Sequence, residues 1–224
     1  MAIYYTGNNK PFNKPLWAFT YYVDNETGSK LICKPTHGEL VEEDWDIKFV
    51  PYKKGTTEKR TSGFIYWENK NYADTKEEAI DVYNNLVEQR IDALKNLLAL
   101  AEADKIQDKN VDVANAVIYE EFGNPPPTNT PIWAFAYYLG NNKTVCKPVL
   151  GEITEEGTGI RSLALFVPYK TGTTEKRVSG QVSTGSRIFT LTEEEAIASY
   201  NSLVEKRISN LKILLQETEK DKLK

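Results

Sequence analysis

Apolar and polar positions alternate through the stretch WAFTYYV, residues 17–23. Trp17, Phe19, Tyr21 and Val23 fall on one face and Ala18, Thr20 and Tyr22 on the other, a period of two that predicts a strand with the first set facing the core. KLICKPTHGELVE at 30–42 predicts a second strand or bent pair, with Pro35 marking an edge or bulge and His37-Gly38 a turn. IKFVPY at 47–52 and RTSGFIYWE at 60–68 predict two more strands, and KKGTTEK at 53–59 the turn between them. From residue 75 the period changes. Ala79, Tyr83, Leu86, Val87, Ile91, Leu94 and Leu98 recur at helical spacing, so one stripe of a long helix is apolar and covers the sheet. Thr75 followed by Glu78 reads as the capping box that starts this helix.

The whole succession then returns. PLWAFTYYV at 15–23 reappears as PIWAFAYYL at 131–139, CKPTHGEL at 33–40 as CKPVLGEI at 146–153, and the helical stretch 75–98 as 192–215, with Thr192 and Glu195 renewing the capping box. The period is 116 to 117 residues, measured from Trp17 to Trp133 and from Arg60 to Arg177. Solenoid repeats run roughly 20–50 residues, so each unit reads as a complete small domain. The expected architecture is α+β: a tandem duplication of a small antiparallel β-meander backed by one long C-terminal helix. Residues 1–109 form the first unit, 110–131 a linker and lead-in, and 132–224 the second unit. The joint is placed in QDKNVDVANAV at 107–117, and the charged ETEKDKLK at 217–224 is expected to fray.

Composition narrows the functional classes. With 40% hydrophobic residues and thirteen tyrosines the chain is globular. A net charge of −4 argues against duplex nucleic acid, which needs clustered cations to neutralise phosphates. The two cysteines, Cys33 and Cys146, occupy equivalent Cys-Lys-Pro triplets and read as buried thiols of a protein in a reducing cytosol. The start of the chain reads as neither a leader nor a membrane span, so a cytoplasmic, soluble protein is expected.

Catalytic equipment is sparse. His37 is the single histidine, and Leu150 stands in its place in the second copy. Cysteine and histidine spacings for zinc are absent, as are phosphate-loop and dinucleotide glycine fingerprints. Glu77, Glu78, Glu194 and Glu195 belong to helix starts, where the dipole favours them. Glu39 and Glu152 follow the repeated glycine and are candidate general bases without a partner. The expectation is a protein that is not an enzyme and takes no cofactor or metal.

The densest agreement between copies lies in a basic segment. FVPYKKGTTEKRTSG at 49–63 and FVPYKTGTTEKRVSG at 166–180 differ only at Lys54/Thr171 and Thr61/Val178, so thirteen of fifteen positions match. The helical stretch matches at sixteen of twenty-four, while IYWENKNYAD at 65–74 scarcely matches VSTGSRIFTL at 182–191. Duplication age is common to all three, so tolerance to change differs among them. Core packing accounts for the helix but poorly for an exposed loop. Hydroxyls, amides near a glycine and fixed cations suit recognition of a phosphate or carboxylate. The expected ligand-binding residues are therefore Lys53, Thr56, Thr57, Lys59, Arg60 and Ser62, with Lys170, Thr173, Thr174, Lys176, Arg177 and Ser179. Trp17 and Tyr21 are assigned to the core, which leaves Tyr22 and Tyr138 as the exposed rings for stacking.

The helical signature T-x-E-E-A-I-x-x-Y-N-x-L-V-x-x-R-I after a short meander, in a tyrosine-, asparagine- and lysine-rich chain, resembles small accessory proteins of tailed bacteriophages. The resemblance implies a non-catalytic protein in the host cytoplasm that sequesters a nucleotide signal of host defence or inhibits a host or defence protein. It assigns no residues. Sequestration of a phosphorylated nucleotide-type ligand comes first, because two copies of a site serve stoichiometric capture directly. A protein-binding inhibitor is the alternative, and a single-stranded nucleic-acid binder, disfavoured by charge, is the third.

Overall fold

The computed structural model describes residues 3–4, 12–23, 30–43, 46–61, 65–66, 70–107, 117–120, 124–138, 144–156, 163–178, 182–183 and 187–224. Its internal contacts define two compact units, Met1–Asn96 with Ile213–Lys224 and Leu97–Lys212. Both are α+β. The first holds strands β1 (Ile3–Tyr4), β2 (Pro15–Val23), β3 (Lys30–Glu43), β4 (Asp46–Pro51), β5 (Ile65–Tyr66) and β6 (Asn71–Ala73), followed by helix α1 (Lys76–Asp104). Its sheet runs β1-β6-β2-β3-β4-β5 with antiparallel pairing throughout. The second sheet is built from β7 (Pro131–Tyr138), β8 (Thr144–Glu156), β9 (Leu163–Pro168), β10 (Val182–Ser183) and β11 (Ile188–Thr190), in the order β10-β9-β8-β7-β11, and α2 (Glu193–Glu219) follows. Among the described residues no helix is long and apolar enough to cross a membrane.

The expected meander is present, and the proline is where a bulge needs one. Ala18 pairs with Thr36 and Thr20 with Cys33, so Phe19 alone faces both Lys34 and Pro35. A residue without an N–H fits the unpaired position of such a bulge. The same offset recurs between Ala134–Val149 and Ala136–Cys146, around Pro148. The expected turn at His37-Gly38 is corrected, because both residues lie within the fourteen-residue strand β3. Glycine is needed there for close approach. A Cβ on Gly38 would lie 2.4 Å from the Val50 carbonyl oxygen and 2.5 Å from the Phe49 ring, and one on Gly151 would meet Val167 and Phe166 at the same distances.

Strands β6 and β11 fall in the stretch where the copies share least, and the sequence pattern does not announce them. They attach through backbone pairing, Trp17 opposite Ala73 and Trp133 opposite Thr190, which constrains side-chain identity weakly. The assignment of one core face to β2 is also corrected. Phe19 and Tyr21 pack under α1 against Ala79, Tyr83, Val87 and Ile91. Leu16 and Ala18 join Leu40, Phe49 and Tyr72 in a second buried cluster. In the second unit Ile132, Ala134, Ile153, Phe166 and Phe189 form the counterpart of that second cluster. Cys33 and Cys146 are free thiols and only half-buried.

Both helices start as their caps predict. The Glu78 amide donates to Thr75 Oγ1 and the Glu195 amide to Thr192 Oγ1, each at 3.2 Å, and the Thr192 amide donates to Glu195 Oε2 at 3.3 Å. Their C-terminal ends depart from expectation. The tail at 217–224 does not fray: Leu215 and Leu223 pack against the first unit's core. Asn84 holds Leu223 by two bonds, Nδ2 donating to its carbonyl at 3.0 Å and Oδ1 accepting from its amide at 2.9 Å. Lys222 pairs with Glu88, and the Tyr21 hydroxyl donates to Asp221 at 3.1 Å. The second unit repeats the arrangement with the end of α1. There Asn201 holds Ile106 by the same two bonds at 2.9 and 3.0 Å, Lys105 pairs with Glu205, and the Tyr137 hydroxyl donates to Asp104 at 3.4 Å. The sequence repeats and the compact units are thus different divisions of the chain, because each helix ends in the unit that its own repeat did not begin. Residues 108–116 of the expected joint lie outside the described residues.

Two substitutions test this packing by chemical denaturation. Asn84→Ala removes both bonds to Leu223 and lowers stability by about 2 kcal/mol, the scale for leaving part-buried backbone groups unpaired. Gly38→Ala forces Phe49 and Val50 apart and costs about 1–3 kcal/mol as overpacking.

Candidate functional site

The repeated basic segment forms a loop clamped at its base. Tyr52 pairs with Lys59 and Tyr169 with Lys176 as isolated antiparallel bridges. The Arg60 amide donates to Pro51 O and the Arg177 amide to Pro168 O, both at 2.9 Å. Gly55 and Gly172 carry φ of 76° and 75° at the tip, a backbone region that favours glycine. Thr56 Oγ1 donates to Lys53 O at 3.1 Å and accepts the Glu58 amide at 3.1 Å, and Thr173 does the same between Lys170 O and the Glu175 amide. Lys53 pairs with Glu58 and Lys170 with Glu175 across the tip.

A carboxylate then ties the loop to the central strand. Glu39, buried on β3, accepts from the Tyr52 hydroxyl at 2.6 Å and pairs with Lys59; Glu152 accepts from Tyr169 at 2.7 Å and pairs with Lys176. Burial alone would raise the Glu39 carboxyl, but hydrogen bonds from Lys59 and Tyr52 outweigh it and hold it below the usual carboxylate value. The bonds from Lys176 and Tyr169 lower Glu152 likewise. Burial, followed by the bond to the neighbouring carboxylate and its charge, pushes the Tyr52 and Tyr169 phenols up to about 12. Neither carboxylate is a poised general base, since each is held in its charged form with its oxygens occupied.

Most of the repeated letters therefore have local structural work. Lys53, Gly55, Thr56, Glu58 and Lys59, with their second-copy equivalents, shape or anchor the loop. Thr57, Thr174 and Arg60 are not accounted for in this way. Arg60 has no carboxylate partner among the described residues, and Arg177 uses Nε on the Tyr169 carbonyl at 3.0 Å. These side chains line two equivalent open clefts. The first, of about 810 Å³, is bounded by Trp17, His37, Tyr52, Lys54, Thr57 and Arg60 among others. The second, of about 840 Å³, is bounded by Trp133, Leu150, Tyr169, Thr171, Thr174, Arg177 and Glu193. Both volumes lie within the range of small-molecule sites.

Of the residues expected from sequence, Lys53, Thr56, Thr57 and Arg60 line the first cleft and Lys170, Thr173, Thr174 and Arg177 the second. Lys59 and Lys176 turn to their glutamates and line neither. Tyr22, 58% exposed on β2, stands apart from the cleft lining, and Tyr138 lies on β7. Ser62 and Ser179 fall outside the described residues. Trp17, assigned to the core from sequence, packs partly buried against the first unit's core and also lines its cleft, and half-buried Trp133 lines the second. Trp17 lies directly opposite His37 across the β2–β3 pair, and their rings stack with centroids 4.9 Å apart at 20°. The tryptophan recurring beside each basic loop was the available signal. Among the described residues no group of three or more His, Cys, Asp and Glu side chains could hold a metal ion. Comparison with protein-family models, with curated proteins and with solved structures finds no match.

The raised phenols set an alkaline limit. A group whose folded-state pKa exceeds the ordinary value of about 10 contributes stability in full below that value and loses it as pH rises towards the folded value. Denaturation measured from pH 9 upward should show stability falling between about pH 10 and the folded-state value of about 12. Tyr52→Phe should be less stable than the parent at neutral pH and show a shallower fall.

Proposed function

We propose that the protein is a non-catalytic binding protein that captures a phosphorylated, nucleotide-type ligand in the cleft beside each basic loop. The observation that carries this reading is the coincidence, in both copies, of an arginine whose backbone amide is held at the loop base, a threonine with no hydroxyl partner among the described residues and a tryptophan wall on one open cleft. Arginine presents paired donors to phosphate oxygens, and an aromatic wall offers a base a stacking partner. The loop's internal clamps support the reading further. They hold the donors in place before a ligand arrives, which lowers the ordering cost of binding. The resemblance to phage accessory proteins suggests the setting: a signalling nucleotide of host defence, removed from solution by a protein with two sites.

One feature favours a second reading, capture of a partner protein's acidic segment. Val178, beside Arg177, is 97% exposed and offers an apolar contact next to the cation.

Thermal unfolding with nucleoside mono-, di- and triphosphates tests the first reading. A ligand at one hundred times its Kd adds about 2.7 kcal/mol of stability, a readily measured rise in Tm. The combined Arg60→Ala, Arg177→Ala variant should lose that rise, whereas Lys59→Met, which keeps both arginines but loosens one loop, should only reduce it while unfolding more easily. No rise with any of these ligands, or a rise that survives loss of both arginines, overturns the proposal.

A further inference from the structure

The two clefts share their frame but not their chemistry. Between the first and the second, Thr36 is exchanged for Val149, His37 for Leu150 and Lys54 for Thr171, and Glu193 joins the lining of the second. In the first cleft the His37 ring lies on Trp17 and meets Tyr52 edge-on at 4.9 Å and 84°, so three rings line its wall. Lys53 and Lys170 are paired across their own loops with Glu58 and Glu175. The cations left for a ligand are then Lys54 and Arg60 in the first cleft, and Arg177, in a lining that includes Glu193, in the second.

Resting on the reading that these clefts bind phosphorylated ligands, we infer that the sites are unequal. The first-repeat cleft is the tight, base-selective site for a nucleoside diphosphate, and His37 and Lys54 set that preference. The second-repeat cleft is a weaker site, which keeps the Trp133 wall but has one ring and one cation fewer. A further anion contact strengthens the hold on phosphate through charge, and an aromatic wall adds stacking that inorganic phosphates cannot use. Of the exchanged residues, His37 therefore acts on the base and Lys54 on the phosphate.

Titration calorimetry of the full chain with ADP and with inorganic pyrophosphate tests the inference. ADP should fill two classes of site, with Arg60→Ala abolishing the tight class and Arg177→Ala the weak one. His37→Leu should weaken ADP at the tight site roughly tenfold and leave pyrophosphate unchanged. The reverse exchange, Leu150→His with Thr171→Lys, should tighten the second site for ADP. These variants install residues that the other repeat already carries in the same fold, so a folded protein is expected, and unchanged thermal unfolding checks it. Two equal ADP sites, or equal losses of ADP and pyrophosphate in His37→Leu, overturn the inequality and leave the capture reading standing. No heat with either probe overturns both.

Discussion

Glu39 sits almost fully out of water on the central strand and stays charged because two donors converge on it, the Tyr52 hydroxyl and the Lys59 ammonium. An ionised carboxylate in such a place is tolerated only when paired and hydrogen-bonded. Both of its donors flank the basic loop, so satisfying the carboxylate also fixes where the loop leaves the sheet. The Arg60 amide is held at the same loop base, on the Pro51 carbonyl, and the second copy repeats the attachment through Glu152, Tyr169 and Lys176.

This gives the near-identity of the two basic segments a divided cause. Ion pairs and a threonine-stabilised turn constrain most of their letters, and a ligand need not be invoked for those. The residues left over are few, and they share one wall with a tryptophan. The internal constraint and the proposed binding role are connected, since a loop held by its own side chains keeps the arginine's backbone in place without help from a ligand.

The fold was legible wherever its causes are local. Capping boxes, the helical stripe, the glycine-tipped loop and the proline at the bulge all act over a few residues, and the chain displays each of them openly. What was missed depends on partners distant in sequence. Lys59 looked available because Glu39 lies twenty residues back on a neighbouring strand. Trp17 does pack against the core, but its own strand does not reveal that His37 also faces it. Gly38 looked like a turn because the ring that requires it, Phe49, belongs to the next strand. The charged tail looked loose because Asn84, which holds it, lies at the start of the other repeat's helix.

The placement of that tail bears on the order in which the protein can be completed during synthesis. The unit Leu97–Lys212 is one unbroken segment of chain, whereas the unit that begins at Met1 also requires Ile213–Lys224. The first repeat to leave the ribosome is therefore finished after the second, since its core lacks Leu215 and Leu223 until residues 213–224 have been made. A nascent chain that has reached Lys212 carries the whole second unit, while the core of the first is still without Leu215 and Leu223. That gap is an opening for chaperones and proteases to recognise incomplete copies.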